Sequence, residues 1–130
     1  MRENSLIKFT QDGEVIEERY LSAPLDIIAA FGCDFHHDKE YEVENYAFED
    51  ERGCIAKLYV EFITGVVSIA ISDKNKQSIL FFQDQHLTEL RIIESKNAIK
   101  INTKFNNVEL FIFPQLNARI ESNRMDHPRS

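Results

Sequence analysis

Four neighbouring residues are of types that could do metal or acid–base chemistry: Cys33, His36, His37 and Asp38. Thiolate, imidazole and carboxylate all ligate zinc, and Cys-x-x-His brings two such groups close together in the chain. A closed zinc site needs three or four ligands, however, and the usual spacings are not repeated downstream. His86 and His127 would complete a set only if the fold happened to deliver them. The expected outcome is a polar loop with one buried thiol and no metal. His37 beside Asp38 also has the makings of a general base oriented by a carboxylate. Sequence neighbours rarely point at each other in that way, and no nucleophile motif accompanies them. The chain has only four glycines, none clustered, and it has no nucleophile elbow, no HExxH and no paired CxxC. Neither an enzymatic activity nor a cofactor is expected.

The stronger candidate is acidic. Glu40, Glu42 and Glu44 alternate with Tyr41 and Val43, so a strand here would show three carboxylates on one face. Continued strictly, Tyr46 and Phe48 join the carboxylate face, unless the strand bulges near Asn45. Glu49, Asp50 and Glu51 then crowd the turn before Gly53. Like charges this close repel one another, and a basic partner would relieve them. Two readings stand side by side: a solvated strand edge kept charged against aggregation, or a docking surface for a cationic partner.

The elements that must position these residues are strands. Cys54, Ala56, Leu58, Val60 and Phe62 recur at every second position, the pattern of a strand with one buried face. With Thr64-Gly65 as a two-residue loop, Phe62 faces Val67, Val60 faces Ile69 and Leu58 faces Ile71. Asp73–Lys76 then turns the chain so that Ile69 faces Leu80 and Val67 faces Phe82. The opposite face is mixed, with Lys57, Tyr59 and Glu61 beside Ile55, Ile79 and Phe81, and is expected to be partly covered by another layer. Upstream, Asp12-Gly13 marks a hairpin that sets Phe9 against Ile16 and Lys8 against Glu17. Ser22 as N-cap, Pro24 in the first turn and Gly32 as the stop bound a short helix over 23–31, with Leu25, Ile28 and Phe31 sharing a face.

Downstream, LTELRIIES, AIKINTKF and VELFIFP read as three strands, although 86–94 also fits helical spacing. Loops at Lys96-Asn97 and Asn106-Asn107 would set Ile92 against Ile101, Phe105 against Val108, Thr103 against Leu110, Ile101 against Ile112 and Lys104 against Glu109. LNARIES adds a short terminal element. The expected fold is mainly β (α+β): an antiparallel meander of about eight strands curled into a sandwich or partial barrel, with one short helix. Residues 1–121 are expected to form one domain, with 122–130 expected as a disordered tail.

Ten Phe, four Tyr and no Trp suit a β-rich core. No apolar run approaches the roughly 20 residues of a membrane helix, and no secretory signal is visible. Two distant cysteines, Cys33 and Cys54, are expected to be reduced thiols in a cytoplasmic protein. The net charge of −7 is unevenly spread: residues 1–65 carry −9 and residues 66–130 carry +2. This argues against direct nucleic-acid binding, which needs a basic surface.

Short length, acidity, β-meander character and the absence of catalytic motifs resemble the small acidic immunity proteins of bacterial toxin systems, contact-dependent inhibition included. That resemblance implies a non-catalytic inhibitor of a basic toxin domain, a nuclease in many such systems. It also implies that Glu40, Glu42, Glu44, Glu49, Asp50 and Glu51 compete for the toxin's cationic cleft, with Tyr41 or Tyr46 as anchors. The alternative is a small-ligand or accessory β-module holding an apolar molecule between Tyr59, Phe81, Phe111 and Phe113. A homodimer through a free sheet edge is also open.

Overall fold

A computed structural model describes residues 2–122. The chain forms β1 (Ser5–Gln11), β2 (Glu14–Leu21), α1 (Pro24–Phe31), β3 (Asp34–Asp38), β4 (Val43–Glu49), β5 (Ile55–Glu61), β6 (Val66–Ser72), β7 (Ser78–Asp84), β8 (Leu87–Ile93), β9 (Ala98–Thr103), β10 (Asn106–Phe111) and β11 (Asn117–Ser122). Eleven strands thus stand where about eight were expected, and 87–93 is strand, not helix. One sheet runs β1-β2-β8-β9-β10-β11 and the other β3-β4-β5-β6-β7. They form a sandwich, not a barrel: Leu90, Ile99, Ile101 and Leu110 of the first share one apolar core with Leu58, Val60, Ile69 and Phe48 of the second. The whole second sheet is inserted between β2 and β8. Those two strands meet in the one parallel pairing among the described residues, Tyr20 with Glu89 and Leu21 with Leu90, and a parallel pair requires such a long crossover. Among the described residues no helix is long and apolar enough to cross a membrane.

The central meander buries the residues its alternation marks, but in a different register. Val60 faces Val67, Leu58 faces Ile69 and Ala56 faces Ile71. The loop is four residues, 62–65, closed by the Gly65 N–H donating to the Glu61 carbonyl at 2.7 Å. A two-residue slip preserves the face because the side-chain period is two. The same slip recurs at the next turns. Asp73 Oδ1 accepts from the N–H groups of Asn75 and Gln77, so Ile71 faces Leu80 and Ile69 faces Phe82. Between β8 and β9 a single 3-10 turn intervenes, and Ile92 faces Ile99. The β9–β10 turn is Lys104-Phe105, held by the Thr103 hydroxyl accepting from the N–H groups of Phe105 and Asn106. Asn106 and Asn107 therefore belong to β10, Val108 faces Ile101, and Lys100, not Lys104, lies opposite Glu109.

Two further expectations are corrected. Asp12-Gly13 does form the β1–β2 loop, with φ of 54° and 82°, but an irregularity at Phe9/Thr10 leaves Ile16 unpaired. Phe9 therefore faces Glu17 and Lys8 faces Glu18. Helix α1 is capped by Ala23, because Ser22 is taken by the sheet, its N–H donating to the Leu90 carbonyl at 2.8 Å. The helix consequently buries Pro24, Ile27 and Phe31 and leaves Leu25 exposed. Gly32 ends it in the left-handed conformation, as expected. The outer face of the second sheet is not covered by another layer of the described residues: Ile79 and Phe81 are exposed. The terminal element is β11, and positions 123–130 of the expected tail lie outside the described residues.

Candidate partner-binding surface

The acidic run does not form one stripe. Asp38 Oδ1 accepts the N–H groups of Glu40 at 3.0 Å and Tyr41 at 3.4 Å, which turns the chain out of β3. Glu42 then adopts a left-handed φ of 54° and reverses it into β4. Glu40, Tyr41 and Glu42 are therefore the tip of a tight connection, not a strand, and all three are exposed or partly so, Tyr41 at 66%. Glu42 lies 3.9 Å from His37 Nε2.

Beyond the tip, β4 has no bulge and alternates strictly. Glu44 shares its face with Tyr46 and Phe48, and that face is the core. The Glu44 carboxylate is inside the protein. Arg2 grips it with Nε at 2.8 Å and Nη2 at 2.9 Å, and the Tyr46 hydroxyl donates to it at 2.8 Å. The same guanidinium donates to the carbonyls of Leu21 and Ser22. Burial, followed by the Glu44 charge and hydrogen bond, pushes the Tyr46 hydroxyl far above its ordinary value, so it stays a donor.

At the other end of β4, Glu49 and Glu51 are exposed while Asp50 is buried. Asp50 accepts from the N–H groups of Arg52, Cys54 and Leu116 and from the Arg52 guanidinium, at 2.9 to 3.1 Å. Burial pushes this carboxyl up, yet these donors together hold it below its ordinary range. The tip at 40–42 and the pair Glu49/Glu51 are separated by the length of β4, roughly 20 Å at about 3.3 Å per residue. Of the eight residues expected to form one surface, the structure brings Glu40, Tyr41 and Glu42 together. It sets Glu49 and Glu51 apart and turns Glu44, Tyr46 and Asp50 inward.

The tip has neighbours that the run alone did not reveal. Val43 pairs with Glu61, so the 62–65 turn, with its exposed Ile63, lies at the same end of the sandwich. The β1–β2 hairpin leaves the body there too, because Arg19 Nη1 donates to the carbonyls of Phe62 and Ile63, both at 2.8 Å. That hairpin carries Asp12, Glu14, Glu17 and Glu18, with Glu17 paired to Arg19 at 3.3 Å and Glu18 opposite Lys8. The one available clue was alternation within β2, which puts Arg19 on the inward face with Leu21. Gly65 makes this junction: its φ is 82°, its carbonyl accepts from Leu87 N–H, and a methyl group there would meet Arg19 Nη2 at 3.0 Å. Gly65→Ala is expected to cost about 1–2 kcal/mol, read as a lower urea midpoint at unchanged slope; an unchanged midpoint would show that the junction yields freely.

The remaining candidates are dispersed. Cys33 is half-buried, Cys54 is buried, and both are free thiols. Burial pushes Cys33 up to about 11, so it is protonated at neutral pH. No group of three or more His, Cys, Asp or Glu among the described residues is arranged to hold a metal ion. His86 packs edge-on against Phe105, and His127 lies outside the described residues. The four aromatics of the ligand reading are not gathered either. Phe111 and Phe113 line an open groove of about 560 Å³ with Ile79 and Leu80, while Tyr59 and Phe81 are not part of it.

The described residues thus form an eleven-stranded sandwich whose 40–42 tip, 62–65 turn and β1–β2 hairpin lie at one end. No protein-family model matches the sequence, and no curated protein matches it. In fold it is similar to a chain from a contact-dependent growth inhibition toxin–immunity protein complex of Klebsiella pneumoniae 342, with a TM-score of 0.65 and 14% identity over 77% of this chain and 93% of that one. The resemblance suggested by size, charge and strand pattern therefore holds at the level of the fold.

Proposed function

We propose that this chain is a non-catalytic immunity-type protein that neutralises a basic toxin domain, of the nuclease class, in a bacterial cytoplasm. The observation that carries the reading is the fold shared with a chain of a toxin–immunity complex. The charge distribution supports it, since the −9 half of the sequence includes both the β1–β2 hairpin and the 40–42 tip. In this reading Tyr41 is the anchor and Glu40 and Glu42 steer encounter. The Asp38 bonds hold the tip before binding, which lowers the ordering cost of association. Glu49 and Glu51 join the contact for a partner that spans β4. Glu44, Tyr46 and Asp50 serve it from within, by fixing the strand that presents the tip.

The test is binding kinetics against the product of the neighbouring toxin gene, together with growth on expressing each chain alone. Glu40→Lys with Glu42→Lys is expected to slow association about tenfold at low salt and less at high salt. Tyr41→Ala is expected to raise the dissociation rate by about tenfold or more. Both variants should melt like the wild type. Growth arrest caused by this chain alone would overturn the reading, because it would make the chain the toxic member of such a pair. Association that is indifferent to the double reversal would remove the tip from the contact.

A further inference from the structure

The two sheets end in four edge strands: β1, β11, β3 and β7. An edge strand presents unpaired N–H and C=O groups, and proteins blunt such edges with charge, bulges or short length. Three of the four are blunted by charge here. β1 has Lys8 at its centre and the irregularity at Phe9/Thr10. β11 carries Arg119 and Glu121, paired at 2.7 Å. β3 is five residues long and begins and ends in aspartate.

β7 carries one of these devices, an irregularity at Ile79 where its ladder to β6 shifts register between Ile71 and Ser72, but no charge blunts it. Ile79, Leu80, Phe81 and Phe82 follow one another, no charge occurs before Asp84, and the ladder to β6 is regular from Leu80 to Asp84. Ile79 is 59% and Phe81 63% exposed, and no residue of the strand is fully buried. Among the described residues, β6 is the one strand that pairs with it.

We infer that β7 pairs antiparallel with β7 of a second copy across a two-fold axis, joining two five-stranded sheets into one of ten strands.

The sequence of the strand is self-complementary about Phe81. With Phe81 on the axis, the regular residues Leu80, Phe81 and Phe82 overlap those of the second copy, and the irregular start of the strand at Ser78 and Ile79 lies beside Gln83 and Asp84. Leu80 then lies opposite Phe82 of the second copy on the core-facing side, where each is half-buried in one copy alone. Phe81 lies opposite its own equivalent on the outer face, an aromatic cross-strand pair of the kind that stabilises sheets. Ile79 lies opposite Gln83. A two-fold contact needs this property, since one patch must fit itself.

Charge permits the approach despite the net −7. Residues 74–83 contain Lys74 and Lys76 and no acid. In the antiparallel register the Lys-bearing turn of each copy lies beside Asp84 of the other, and Asp84 is ionised. Burial raises its carboxyl, but the Thr103 hydroxyl and the Asn106 side chain hold it below its ordinary value. A single pairing of short strands lies at the small end of specific interfaces, so the dimer is expected to form in the micromolar range.

The experiment is sedimentation equilibrium of the full chain from micromolar to submillimolar concentration, with hydrogen exchange of the β7 amides at both extremes. The wild type is expected to move from monomer to dimer as β7 amides gain protection. Phe81→Lys sets two ammonium groups opposite each other and should weaken association about tenfold or more. Phe81→Thr, which keeps strand propensity without the ring, should weaken it less. Leu6→Lys, on the exposed face of β1, should associate like the wild type. A monomer at every concentration overturns the inference, as does a dimer indifferent to both Phe81 variants. So does protection of β7 that appears only when the toxin partner is added, which would mark the edge as a heterologous contact.

Discussion

Asp50→Ala is expected to destabilise the fold by about 3–5 kcal/mol, the range for losing a buried, multiply bonded charge. The carboxylate ties three stretches of chain together. Its Oδ1 accepts from the N–H groups of Arg52 and Cys54 and so shapes the β4–β5 turn. Its Oδ2 accepts from Leu116 N–H, 66 residues away, and so fixes the segment between β10 and β11. Alanine would leave the Cys54 and Leu116 donors buried without an acceptor, and each orphaned group costs about 1–3 kcal/mol. Asn keeps one acceptor oxygen but turns an NH2 towards N–H groups, so Asp50→Asn should recover little. Urea unfolding reads the loss as a lower midpoint at an unchanged slope. A midpoint within error of wild type would mean that water or relaxation satisfies these donors.

The same site sets a pH dependence. The folded-state pKa of Asp50 is depressed, so between it and the unfolded value near 4 the unfolded chain binds more protons. Its stabilisation is therefore complete above that unfolded value and is lost as pH falls through the lower folded one. Asp84 and Glu89 act with the same sign. In Glu89 burial raises the carboxyl, but hydrogen bonds from Arg91 and Lys100 hold it down. Asp50→Asn should flatten the acid limb of the stability profile without abolishing it.

Strand faces were legible in the sequence because period-2 alternation survives any even slip of register. Ala56, Leu58, Val60, Val67, Ile69 and Ile71 are buried as their spacing indicates, although Val60 faces Val67 and not Ile69. Turn lengths were not legible. They depend on side chains that close a loop only once it exists, such as Asp73 at 73–77 and Thr103 at 104–105. The 40–42 tip was hidden for a related reason. Its reversal rests on a left-handed Glu42 and an Asp38 cap, with neither glycine nor proline to announce it. Inserting one sheet inside the connection between β2 and β8 leaves no local mark at all, because the parallel pairing that results spans two residues.

Sequence also could not separate acids that face solvent from acids that face the core, and Glu44 makes the distinction testable. Its carboxylate is 1% exposed and answers Arg2, 42 residues away. Removing one member of such a pair strands the other, so Glu44→Leu is expected to cost about 3–5 kcal/mol. Arg2→Met should cost a similar amount, because the carbonyls of Leu21 and Ser22 lose their donor as well. The two changes together should cost clearly less than their sum, since no buried charge is then left alone. A double-mutant cycle by urea unfolding measures this, and strict additivity would mean the two groups do not act as a pair. Kinetics complete the separation. Glu44→Leu should lower stability yet leave the association rate per folded molecule unchanged, whereas reversing Glu40 and Glu42 should leave stability alone and slow association. If reversal at the tip instead unfolds the protein, or loss of Glu44 instead slows encounter, the division between an interior acid and a docking acid is wrong. The acidity of this chain would then be one undivided surface.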